Sequence, residues 1–164
     1  MPRVSKNIPA RPVDDPARRR LPILLRRAWY GLNQAFRRRI AHTGVTPDQF
    51  TALRTLTESD PVGLPQSELT RLMASDPNTI ASLVERMKVA GLVDRQTHER
   101  DRRAYRIKIK PLGRKKYEEV REIAISLQTE ILTALPADRR ENFLEELARV
   151  ADTSQLTAEN SPRK

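Results

Sequence analysis

The chain has no cysteine at all. That excludes disulfides, thiol redox chemistry and cysteine-ligated zinc. Histidine is nearly as scarce: His42 and His98 stand far apart, in no metal-ligand spacing, and no metal is expected. Aromatic residues make up only 4% of the 164 residues. No apolar run is long enough to span a bilayer, and no apolar leader opens the chain, so a cytoplasmic protein without a membrane partner is expected. No nucleophile–base pair, phosphate-binding glycine loop or metal cluster is apparent, and the chain is not read as an enzyme. No cofactor is expected either.

Acid is also in deficit. Lys and Arg number 31 against 21 Asp and Glu, a net charge of +10. Such an excess favours a polyanionic partner, although a solvated basic surface gives the same total. Placement separates the two readings. Residues 1–20, with four prolines and Arg18, Arg19 and Arg20 at the end, read as a flexible basic arm. Residues 153–164 read as a disordered polar tail.

Between these ends the hydrophobic period is mostly helical. Leu25, Ala28, Trp29, Leu32, Ala35, Phe36 and Ile40 make one face of a helix from about Leu21 to His42. Trp29 and Phe36 are expected to lie in the core. Gly44 ends that helix. Thr46-Pro47-Asp48-Gln49 has the form of a capping box, with Phe50, Leu53 and Leu56 as the buried stripe behind it. Val62-Gly63-Leu64 reads as an extended link. A third helix, about Pro65 to Met73, points Leu69 and Leu72 inward. Asp76 caps a fourth helix from Pro77 to about Ala90, whose apolar face is Ile80, Leu83, Val84 and Met87.

The period then changes from 3.6 to 2. Tyr105, Ile107 and Ile109 alternate with Arg106, Lys108 and Lys110, a half-buried strand paired with Val93 to Gln96. His98 to Arg103 has no apolar residue and reads as the hairpin tip. The helical period resumes from about Leu112 to Ala134, through Tyr117, Val120, Ala124, Leu127 and Ile131. A last helix, about Asp138 to Ala151, turns Phe143, Leu147, Val150 and Ala151 inward. Two short helices joined by a tight turn and followed at once by a β-hairpin form a winged helix-turn-helix. The fold class is mainly α with a small β-wing.

Gly91-Leu92-Val93-Asp94-Arg95, followed by Arg100-Asp101-Arg102-Arg103-Ala104, resembles the MarR family of bacterial transcriptional regulators. Members commonly carry a G-L-[IV]-x-R element and then a D-x-R wing signature, which Asp101 and Arg103 match. The chain departs just beyond. Ile109-Lys110-Pro111 stands where many members place Leu-Thr, which touches the capping of the next helix and not the fold. The resemblance implies a winged DNA-binding lobe over 46–110. It also implies dimerisation through a first helix in 21–45 and the C-terminal helices in 111–152, with the first, fifth and sixth helices of two chains intertwined.

The partners expected are double-stranded DNA and a second copy of the chain. Pro77, Asn78, Thr79, Ser82 and Arg86 lie on the side of the fourth helix away from its apolar face. Asn pairs bidentately with adenine and Arg with guanine in the major groove. Asn78 and Thr79 serve equally well as helix-start residues, whereas Ser82 and Arg86 are read as DNA contacts. From Arg95 to Lys110, seven basic residues face two acids, and a narrow minor groove attracts arginine. Arg95, Arg100, Arg102 and Arg103 are the wing contacts. By resemblance Arg103 enters the groove and Asp101 orients a wing arginine.

The resemblance further implies release of DNA by a small aromatic carboxylate or related anion, held near Trp29, Tyr30, Asn33, Arg37 and Phe50. Arg37 serves equally as part of a solvated helix face. The lack of cysteine removes the family's peroxide-sensing branch, and the isolated histidines argue against its zinc-responsive branch. The expected function is a sequence-specific regulator, a repressor by the commoner family behaviour, on a pseudo-palindromic operator. The competing readings are an architectural protein indifferent to DNA sequence and an RNA-binding winged helix. The few aromatics for base stacking speak against the latter.

Overall fold

A computed structural model describes residues 15–16, 19–59, 61–97 and 105–162. Most of the arm read over residues 1–20 therefore lies outside the described residues, as does the wing tip with Arg100, Asp101, Arg102 and Arg103.

Among the described residues, six α-helices and three short strands follow in order. Helix α1 spans Leu21–Ile40 and runs into a 3-10 turn, Ala41–Thr43, which ends on Gly44 at φ 73°. Helix α2 spans Pro47–Thr57 and carries the capping box in full. Gln49 N–H donates to Thr46 Oγ1 at 3.2 Å, and Thr46 N–H donates to Gln49 Oε1 at 3.0 Å. The link expected at 62–64 is in part a strand: β1, Leu64–Pro65, pairs antiparallel with β3. Nothing in a two-residue strand shows a period, so the pattern could not disclose it.

Helix α3 is short, Gln66–Leu72, and buries Leu69. Leu72, expected inward, is 45% exposed. The inner position goes instead to Met73, which packs against the core. A residue four places on lies about 40° round a helix from Leu69, whereas one three places on lies about 60° away on the other side. Helix α4 spans Pro77–Val89 and buries Ile80, Leu83, Val84 and Met87, as its periodicity requires.

Strands β2, Val93–Thr97, and β3, Tyr105–Ile109, form the wing in the register Val93↔Ile109 to Thr97↔Tyr105. The sheet order is β1-β3-β2. Helix α5, Pro111–Leu132, begins one residue after β3 and has no side-chain cap, in keeping with the departure at Ile109-Lys110-Pro111. A 3-10 turn, Ala137–Arg139, leads into α6, Arg140–Asn160.

Residues 153–160, expected as tail, are thus helical. No glycine or proline interrupts the segment before Pro162. Ser154 and Thr157 hydroxyls donate to the carbonyls four residues back, both at 2.7 Å, and Gln155 bonds Glu159 across one turn. The hydroxyl bonds satisfy the side chains within the helix, and the Gln155–Glu159 pair supports it across one turn.

The core joins Ile40, Phe50, Leu53, Leu69, Ile80, Met87, Val93, Ile107, Tyr117 and Val120. An aromatic column ties three helices together. Phe36 meets Phe50 edge-on at 5.3 Å between centroids, and Phe50 stacks on Tyr117 at 5.8 Å. Arg39 Nη2 pairs with Glu130 at 2.6 Å and links α1 to α5. Much of the remaining apolar surface of the long helices is exposed. Trp29, expected in the core, is 64% exposed, because the N-terminal half of α1 runs past the helices that cover Phe36 and Ile40. Phe143 and Leu147, expected inward, are exposed too, since α6 buries no residue. Among the described residues no helix is long and apolar enough to cross a membrane.

Candidate nucleic-acid interface

The start of α4 is built around one carboxylate. Asp76 Oδ1 accepts the N–H of Asn78 at 3.1 Å and of Thr79 at 2.9 Å, and Oδ2 accepts the Thr79 hydroxyl. The Thr79 hydroxyl and then the backbone donors hold the Asp76 carboxyl below its usual value. Thr79 is therefore engaged in the helix start. Asn78 keeps its amide side chain unpartnered among the described residues and exposed, as Ser82 keeps its hydroxyl. Pro77 fills the first helical position, where no N–H is missed. Asn78 and Ser82 sit one turn apart, opposite the buried Ile80, Leu83 and Met87.

Arg86 is exposed but set to the side. It lines an open cleft of about 530 Å3 with Arg37 of α1, the Gly44–Thr46 turn and Asp48 at the start of α2. Sequence reasoning had assigned these two arginines to different tasks.

The wing is anchored at its base. The Arg95 guanidinium lies 3.9 Å from the centroid of the Tyr105 ring, which fixes its side chain across β2 and β3. Arg106 Nη1 donates to the Gly63 carbonyl at 2.7 Å and ties β3 to the loop before β1. Gly63 has φ 99°, and a Cβ there would meet the Ile107 carbonyl at 2.6 Å, so this contact requires glycine. Alternation alone placed Arg106 on a solvated face and gave no sign of this tie.

A second cleft, about 240 Å3, opens between α1, α2 and α5. It gathers Trp29, Asn33 and Phe50 from the expected ligand residues. Tyr30 and Arg37 do not line it. Sequence reasoning missed Arg54, whose guanidinium lies 4.7 Å over the Phe50 ring, and Asp48 and Gln128 at the rim. Arg54 stands one turn beyond Phe50 on the same helix face, a signal the spacing did offer. The cleft thus presents aromatic walls beside one cation, one carboxylate and two amides.

Comparison with known proteins agrees with this arrangement. Residues 43–104 match the MarR family model. A probable transcriptional regulator from Pseudomonas aeruginosa is 31% identical, over 77% of this chain and 96% of that one, with a TM-score of 0.64. The transcriptional repressor CouR, solved on a 23-mer DNA duplex, is 25% identical over 80% of this chain and 92% of its own, with a TM-score of 0.72. The PcaV transcriptional regulator of Streptomyces coelicolor, solved with its natural ligand, is 25% identical over 80% and 91%, with a TM-score of 0.68. Among curated protein sequences none matches.

Proposed function

The chain belongs to the MarR family of DNA-binding transcriptional regulators, and we propose that it acts as a cytoplasmic homodimeric repressor on a pseudo-palindromic operator and is released by a small aromatic anion. The observation that carries the DNA part is the face of α4. Its start is held by Asp76, and Asn78 and Ser82 stand free on the exposed side, beside a wing of net positive charge. A helix presented this way fits the major groove and reads base edges from its first turns. Arg95, steadied on Tyr105, then directs the wing along the backbone, and Arg100, Arg102 and Arg103 with Asp101 complete the minor-groove contact.

The exposed apolar surface supports the dimer. Leu24, Trp29, Ile131, Phe143 and Leu147 are exposed in one chain, on helices at either end of the sequence. A second copy covering them would supply the second α4 helix that half-sites about one DNA turn (~34–36 Å) apart require. The ligand reading rests on the cleft of Trp29, Asn33, Phe50 and Arg54, where an aromatic ring stacks and a carboxylate meets the guanidinium. CouR was solved on DNA and PcaV with a ligand, which supports both halves of the reading.

Selection of bound duplexes from a random pool at moderate salt tests it. A two-fold symmetric motif with half-sites one turn apart is expected. Binding that enriches no motif and merely fades with salt would instead identify an architectural protein.

A further inference from the structure

We propose that Arg37 of α1 and Arg86 of α4 together clamp one backbone phosphate of the bound DNA, outside the groove that α4 reads. The inference rests on the DNA-binding reading above. Three observations carry it.

First, both guanidiniums line the same open cleft, though they come from different helices. Neither has an ion-pair partner among the described residues, while Arg39, next to Arg38 on the same helix, is spoken for by Glu130. Two like charges brought to one cleft repel, and an anion shared between them turns that repulsion into two charge-assisted hydrogen bonds. Asp48 on the rim offsets one of the two charges and leaves the cleft net positive.

Second, the position is wrong for a base reader. Arg86 lies on the third turn of α4, whereas bases are read from its first turns. It also lies about 40° round the helix from Ser82, towards α1 and α2. Arg37 belongs to α1 and not to the helix proposed to enter the groove. What both reach must therefore lie at the groove's edge, where the sugar–phosphate strand runs.

Third, three amides of the adjoining turn are engaged within the chain. Gln49 N–H and Thr46 N–H close the capping box, and Val45 N–H donates to Thr43 Oγ1 at 3.2 Å. The two guanidiniums are the full positive charges the cleft offers an anion.

The test uses the full-length protein, its selected operator, a random duplex of equal length, and operators carrying one methylphosphonate linkage at each position in turn. Both arginines are exposed, so R37Q and R86Q are expected to unfold at the wild-type temperature. For each variant the slope of log K against log salt should fall by about one per bound chain, on operator and random duplex alike. R37K should keep the wild-type slope. One neutral linkage per half-site should weaken the wild type several-fold and leave R37Q and R86Q unmoved.

Wild-type slopes in both glutamine variants would overturn the clamp. So would loss of discrimination at one base pair in R86Q with its slope intact, which would restore Arg86 as a base reader. Loss of release by benzoate in R37Q with DNA binding intact would assign Arg37 to the effector and equally overturn it. Absence of any duplex binding by the wild type would instead remove the DNA reading beneath.

Discussion

Asp76 collects three donors, two from backbone and one from the Thr79 side chain, and so fixes where α4 begins. Its depressed pKa gives this a pH signature. The carboxylate's contribution is fully present above the ordinary Asp value of about 3.9 and is lost as pH falls through the lowered folded value. Asp76→Ala should melt at a lower temperature than wild type at pH 7, and the gap should close on acidification below pH ~4. A gap unchanged down to pH 2 would mean that the cap acts through shape and not charge. This residue was legible in advance, because Asp before Pro at the head of an apolar stripe has one strong reading. The cleft shared by Arg37 and Arg86 was not, because two surface arginines carry no mark of the cleft they line.

At the level of elements, capping and period did most to declare the fold. The α2 capping box, the Gly44 stop and the switch of period at the wing all stand in the chain as read. What escaped was structure without a period: the two-residue β1, and the polar half of α6, where no apolar stripe marks the helix. Gly113 belongs to this scale. A Cβ there would stand 2.1 Å from the Leu92 carbonyl, backbone against backbone. Leu92 O also accepts the N–H of Lys110 at 2.9 Å. Gly113→Ala should therefore destabilise the lobe by about 1–3 kcal/mol in urea unfolding, as overpacking does. A change within a few tenths of that energy scale would show that α5 has room to slide.

For the molecule as a whole, the long-helix residues expected inward and found exposed share one cause. Trp29, Phe143 and Leu147 obey a helical period, but period reports only that a face is apolar, not which chain covers it. On the dimer reading, Phe143→Asp with Leu147→Asp should give a monomer in sedimentation at micromolar concentration. Operator affinity should fall on the order of a hundredfold as the two half-sites lose their linkage. A persistent dimer would move the interface elsewhere. The tight junction at Gly113 carries a mechanical consequence. Only Lys110 separates wing strand from α5, and no slack loop lies between them. Helix α5 is then a stiff crank about 33 Å long, and a pivot of only ~5° at its far end displaces the lobe by ~3 Å, close to the ~3.4 Å step from one base pair to the next. A ligand would not need to unfold anything to spoil the fit on DNA; throwing the crank by one tooth would be enough.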